Sequence, residues 1–221
     1  MPSHILVLGA TGQTGVNFCN LALSPPHNHT LTLYVRNPAK VPEDISSNSN
    51  VNVIEGTLEN EATLKTAASC GATIFVSFAG PTGWPRGTAV TDGMKLLFPL
   101  LIQNNFNRAL VLGTCSFPAP PDKPSWKWPA LIFAIKLIGG SAYAEFNGLG
   151  EFVTSQDVDK IKWTLFRVPF LGNGEEQAVT ATFTGSGKDG MFLTRKSMAA
   201  WVLSEIGEDS EWVGQAPVLC N

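Results

Sequence analysis

The chain has 221 residues, of which 44% are hydrophobic and 15% charged, and a formal net charge of −3. This is enough apolar chain to bury a sizeable core, with one domain favoured over two, and it excludes a disordered protein. Lys and Arg are scattered rather than gathered into a basic face, which argues against nucleic acid as a partner.

The four cysteines, Cys19, Cys70, Cys115 and Cys220, form no C-x-x-C pair and no zinc-like grouping with histidine. A reduced, cytoplasmic protein without a structural metal is expected. No charged leader or cleavage site precedes the first apolar run. The longest apolar stretch, residues 129–140, contains Lys136 and falls short of the roughly 18–20 residues of a membrane span. Cys220 is next to last, so no prenylation box is expected either.

In chain order, residues 5–8 read as a buried strand ending at Gly9, with further glycines at Gly12 and Gly15. Gly9 allows a tight turn, Gly12 a close approach of backbone to a pyrophosphate, and Gly15 close packing of helix on strand. A helix over 13–23 then offers its unpaired N–H groups and partial positive charge to phosphates. Residues 31–35 form a second strand ending in Arg36, where a protein selective for NAD carries Asp or Glu; a cation there suits the 2′-phosphate of NADP. Residues 38–50 read as a polar loop, 51–55 as a third strand and 59–68 as a helix. Residues 73–79 form a nearly continuous apolar strand, as expected where both sheet faces are covered. Residues 88–104 have helical spacing, with a kink expected at Pro99, and 109–112 and 163–168 give strands five and six. The alternation predicts a doubly wound parallel α/β sheet with helices on both faces.

Three segments interrupt this pattern at the carboxyl edge of the sheet, where ligands bind in such folds. They are residues 80–87, 116–140 and 169–190, the last two read as insertions on the substrate side of a single domain. Trp84, Trp126, Trp128, Phe133 and Phe170 on these segments are candidates to line an apolar pocket for a small molecule. For any single one of them ordinary loop packing is the better explanation. On the helix after strand five, Tyr143, Asn147 and Glu151 are spaced to share one face, making Tyr143 and Glu151 candidates for proton transfer. A solvated polar stripe is the plain alternative. Cys115 lacks a neighbouring base, and the three histidines form no catalytic pair.

Four motifs together resemble the atypical short-chain dehydrogenase/reductases. They are Gly9-Ala-Thr-Gly-Gln-Thr-Gly15, Tyr34-Val-Arg-Asn-Pro38, Trp163-Thr-Leu-Phe-Arg-Val-Pro169 and Phe192-Leu-Thr-Arg-Lys-Ser-Met-Ala-Ala-Trp-Val202. Within that group the chain looks closest to the NmrA-like and biliverdin-IXβ-reductase-like branch, and the segment around Ala142-Tyr-Ala-Glu145 is similar to its fungal members. The resemblance implies a Rossmann-type fold with a small substrate-side region near the C-terminus. It also implies an NADP(H) site of Gly9, Thr11, Gly12, Gln13, Thr14, Gly15 and Arg36, with Ala79 and Gly80 beside the adenosine ribose. Thr114 and Ser116 would lie by the nicotinamide ribose, and Pro169 near the ring.

The chain departs from the broader superfamily where reductases of isolated carbonyls place Lys four residues after Tyr: Asn147 follows Tyr143. Asn supplies hydrogen bonds but no cation to lower the tyrosine pKa. Hydride transfer to a conjugated acceptor tolerates this loss, since positioning donor and acceptor is the protein's main task. The sequence therefore points first to an NADPH-dependent reductase of a small, largely apolar conjugated substrate, with Tyr143, Ser116 and Glu151 as candidate catalytic groups. An isomerase or cyclase without net redox change and a non-catalytic NADP sensor remain open, as does the oligomeric state.

Overall fold

A computed structural model describes residues 2–80, 87–125, 127–128 and 140–221. Strands β1 (His4–Leu8), β2 (Thr30–Val35), β3 (Val51–Glu55), β4 (Ile74–Ser77), β5 (Arg108–Thr114) and β6 (Lys162–Val168) lie in one sheet with β8 (Thr180–Thr182) and β10 (Val218–Cys220). The order is β3-β2-β1-β4-β5-β6-β10-β8, parallel throughout except that β8 runs antiparallel to β10. The expected doubly wound sheet is present, with an antiparallel edge in place of a purely parallel one. A second small sheet pairs β7 (Phe170–Gly172) with β9 (Phe192–Thr194).

The sheet separates two apolar cores because successive strand residues face opposite sides. Ile5 and Val7 of β1 join one core with Leu110 and Leu112 of β5, while Leu6, Leu8, Ala109 and Val111 join the other. Helices α1 (Gln13–Leu23) and α6 (Arg195–Ser204) cover the first face, through Phe18, Cys19, Met198 and Val202. Helices α3 (Glu61–Ala68), α4 (Ala89–Gln103) and α5 (Gly140–Thr154) cover the second. α4 continues through Pro99. The segment expected to be a plain polar loop instead holds a 3-10 turn at Pro38–Lys40 and a short helix α2 (Glu43–Ser46). Asn37 accepts the Ala39 N–H to start the turn, and Ile45 is buried beneath α2.

Two buried charged groups fix the elements that carry the site. Glu145 of α5 accepts hydrogen bonds from the Val90 and Thr91 backbone N–H groups at 3.0 and 2.7 Å, so one helix caps the N-terminus of another. Carboxylate charge is favourable at that end of the helix dipole. Arg167 of β6, fully buried, donates to both carboxylate oxygens of Asp122 at 2.7 and 2.8 Å and to the carbonyls of Phe117 and Ala216. Asp122 in turn accepts from Ala119 and Thr184 N–H groups, tying the chain beyond β5 to the region after β8.

Candidate functional site

The turn between β1 and α1 has the form its glycines suggest. Gly9 has φ +82°, and a side chain there would strike the Phe78 and Ala79 backbone at 2.8 and 2.9 Å. At Gly15 a Cβ would stand 2.3 Å from the Gly9 carbonyl oxygen, so this position is closed by packing. Gly12 differs: its φ of −78° suits any residue, and a Cβ would meet only the Gly9 oxygen, at 3.5 Å. Folding leaves room at Gly12 that a side chain would fill. The α1 N-terminus carries no side-chain cap and no acidic residue in its first turn. The N–H groups of Gln13, Thr14 and Gly15 have no acceptor among the described residues, as a helix start without a cap leaves them.

These groups open on a cavity of about 250 Å³ walled by Gly9, Gly12, Gln13, Thr14, Gly15, Phe78, Leu112, Leu171, Arg195 and Met198. Thr11 is half-buried beside it and outside its wall. Arg36 is exposed; because Leu8 pairs with Tyr34, the chain leaves the sheet after β2 alongside the glycine turn. Ala79, two residues past β4, borders Gly9, and a Cβ on Gly80 would approach the Phe146 ring at 3.3 Å.

A second cavity, about 180 Å³, lies at the ends of β5 and β6. Its wall is mainly apolar, with Cys115, Trp128, Ala142, Phe146, Val168, Pro169 and Phe170, joined by Thr114, Ser116 and Tyr143. The hydroxyls of Thr114 and Ser116 are 2.6 Å apart. The Asn147 amide donates to Ser116 Oγ at 3.4 Å and to the Tyr143 carbonyl at 2.8 Å. Two hydroxyls that share one hydrogen bond retain one further O–H, which makes the pair a hydrogen-bond donor to whatever enters. Both hydroxyls, Thr114 ending β5 and Ser116 just beyond it, thus reach the cavity, where the sequence left the choice open.

Trp128, 3% exposed, stands in this wall with its indole N–H on Asp189 Oδ2 at 2.5 Å. Burial tends to raise the Asp189 pKa, but hydrogen bonds from Trp128, from the Gly185 and Asp189 backbone and from Lys127 outweigh it and hold the carboxyl at about 2. Burial pushes the Cys115 thiol up to about 12, leaving it protonated and unsuited to act as a nucleophile.

Glu151 does not reach this cavity. It is exposed and outside the wall, two helical turns beyond Tyr143, where it meets solvent instead of the site. Trp84, Trp126 and Phe133 lie outside the described residues. Arg195 and Phe146 were not singled out from sequence. Arg195 reaches the glycine turn only because α6 packs along α1, a pairing that no local pattern reveals.

The sequence profile of a family described as NAD(P)H-binding matches residues 9–209. The chain belongs to this NAD(P)H-binding family. The family's cofactor class fits the uncapped α1 N-terminus and the space left at Gly12. The fold of this NAD(P)H-binding protein is shared with a short-chain dehydrogenase/reductase from Veillonella parvula in complex with NADP. That pair has a TM-score of 0.79 at 18% identity, covering 100% of this chain and 95% of the other. ChuY, an anaerobilin reductase from Escherichia coli O157:H7, aligns with TM-score 0.78 at 14% identity, covering 99% and 97%. In sequence, an oxidoreductase, OrdB, of Dothistroma septosporum is 32% identical over 93 residues, 41% of this chain and 34% of the relative. An oxidase, UcsJ, of an Acremonium species is 31% identical over 94 residues, 42% of this chain and 27% of the relative. These matches thus span about a third or less of the curated relatives' length. Among the described residues no helix is long and apolar enough to cross a membrane, and no cluster of His, Cys, Asp or Glu is arranged to hold a metal.

Proposed function

We propose that this protein is an NADPH-dependent reductase of a small, largely apolar conjugated acceptor. The observation that carries the proposal is the placement of two unlike cavities along one sheet edge, with Val168, Pro169 and Phe170 walling one and Leu171 the other. The first, with its uncapped helix start and glycines, suits a diphosphate; the second suits an apolar acceptor. When bound, NADPH supplies a hydride. Gly12, Gln13, Thr14 and Gly15 would hold its phosphates through backbone N–H groups, and Pro169 would flank the nicotinamide end. Arg36, exposed beside the glycine turn, favours the 2′-phosphate because a guanidinium binds phosphate in a bidentate manner and attracts its charge.

The residues of the apolar cavity have separate tasks. Trp128, Phe146 and Phe170 bind the acceptor and exclude water, with Ser116 and Pro169 completing this substrate side. The Thr114–Ser116 hydroxyl pair, oriented by Asn147, donates a hydrogen bond to a polar atom of the acceptor and stabilises charge as it develops. Tyr143 stands beside it as a further proton donor. The absence of a lysine at position 147 directs this chemistry toward conjugated acceptors rather than isolated ketones.

The test follows NADPH oxidation against a panel of planar conjugated compounds and simple ketones, with Arg36→Ala alongside. Turnover of the former, and a loss of NADPH affinity several-fold greater than that of NADH in the variant, are expected. Conversion of an acceptor at an unchanged rate without cofactor would establish the isomerase or cyclase reading instead. Tight NADPH binding with no turnover across the panel would favour a sensor.

A further inference from the structure

Arg195 opens α6, far along the chain from the glycine turn, yet it stands in the wall of the same cavity as Gly12, Gln13 and Thr14. We infer that Arg195 is a second anchor for the diphosphate of the dinucleotide, complementing the α1 N–H groups from the opposite end of the chain. The inference rests on the reading that this cavity takes a dinucleotide.

Charge is the first argument. The α1 terminus presents partial positive charge with no acidic residue in its first turn, and among the described residues Arg195 has no carboxylate partner. Two positive features therefore face one cavity without an anion between them, an arrangement that an anionic ligand relieves. Hydrogen bonding is the second. Arg195 Nη1 donates to the Leu171 carbonyl at 3.3 Å and to Asn173 Oδ1 at 2.6 Å, both neutral acceptors. Its Nε and Nη2 donors have no acceptor among the described residues. The first two bonds hold the guanidinium in place, and the remaining donors form the fork that matches a phosphate edge. The neighbouring Lys196 is spoken for by Glu175 at 2.8 Å and lies outside the cavity wall. The N-terminus of α6 itself is closed by Thr194, whose hydroxyl accepts the Ser197 N–H, so it is the side chain of Arg195 and not the helix end that addresses the ligand.

The diphosphate is common to NADH and NADPH, so Arg195→Ala should weaken both by the same factor, about 10- to 100-fold. Arg36→Ala would weaken NADPH selectively. Calorimetric titration of the full chain with NADPH, NADH and inorganic pyrophosphate reads this directly, with Lys196→Ala as a neighbouring control that keeps wild-type affinity. Arg195→Lys, which preserves charge without the fork, should recover part of the loss and guards against an Ala variant that folds poorly. Wild-type affinity for both dinucleotides in a folded Arg195→Ala protein would overturn the inference while leaving the cofactor reading intact. A loss confined to NADPH would also overturn it, since Arg195 would then read the 2′-phosphate. Failure of the wild-type protein to bind either dinucleotide would refute the parent reading and this inference with it.

Discussion

Gly12 and Gly15 belong to one motif but carry opposite burdens, and substituting them separately divides binding from folding. At Gly12 the backbone is extended, a Cβ meets only one atom at 3.5 Å, and no cap hydrogen bond exists to be lost. Gly12→Val should therefore cost the apo protein at most about 1 kcal/mol, a fall in Tm of about 2–4 °C for a chain of this size. Its isopropyl group would occupy the space before the Gln13, Thr14 and Gly15 N–H groups. Losing two charge-assisted hydrogen bonds at about 1.5–3 kcal/mol each corresponds to about a 10²- to 10⁴-fold loss of NADPH affinity. Gly15→Ala has the reverse profile: its Cβ would lie 2.3 Å from the Gly9 oxygen and 2.7 Å from Ala10 Cα, and both are backbone atoms that cannot rotate away. Overpacking of this kind costs about 1–3 kcal/mol or more, so its Tm should fall further than that of Gly12→Val. Calorimetric titration with NADPH and ligand-free thermal melts measure the two quantities independently. A Gly12→Val protein that binds NADPH within about threefold of wild type would refute the argument, because the open space at Gly12 would then have nothing to do with the ligand.

Two further predictions concern the scaffold around the apolar cavity. Asp122→Ala should destabilise the protein by about 3–5 kcal/mol in urea titration, because it strands a fully buried Arg167; a loss under 1 kcal/mol would show that the three-way tie contributes little. Asp189 and Asp122 both have folded pKa values below their ordinary ones, so their stabilisation is complete above pH 4 or so and is lost as pH falls through the folded values. For Asp189, held at about 2, the full loss is about 2 kcal/mol. Urea midpoints at mildly acidic and strongly acidic pH should converge for wild type and Asp189→Asn, and a constant difference between them would contradict this assignment.

The first six strands and the four longer helices among them were legible because each is an apolar run or a periodic segment bounded by turn residues. Helix α1 and strand β3 have the predicted limits. Strands β7 to β10 have three residues each, too few for any periodicity, and exist only through their partners. The buried charges were opaque for a different reason. Arg108 and Arg167 look like surface residues in sequence, yet both are fully buried, satisfied largely by backbone carbonyls that no pattern announces. The same holds for Glu145, whose partners lie 54 and 55 positions away at the start of α4. The glycine turn was readable since it lies in one short stretch between β1 and α1. The wall of the apolar cavity joins residues that stood out in the sequence, Ser116, Trp128, Tyr143 and Phe170 among them, to Phe146, which did not.

The position of β10 between β6 and β8 has a consequence for how the protein is made. Val218 pairs with Arg167 on one side and Thr182 on the other, and it packs with Cys115 and Trp128 behind the apolar cavity. Until residues 215–220 have emerged from the ribosome, the outer edge of β6 lacks this neighbour, β8 has no sheet to join and the back of the cavity is open to water. The glycine turn, by contrast, joins a strand and a helix that are adjacent in the chain. A nascent chain therefore forms the glycine turn before the wall of the apolar cavity. During that interval the bare edge of β6 is a template for pairing with other chains, and the docking of β10 closes it.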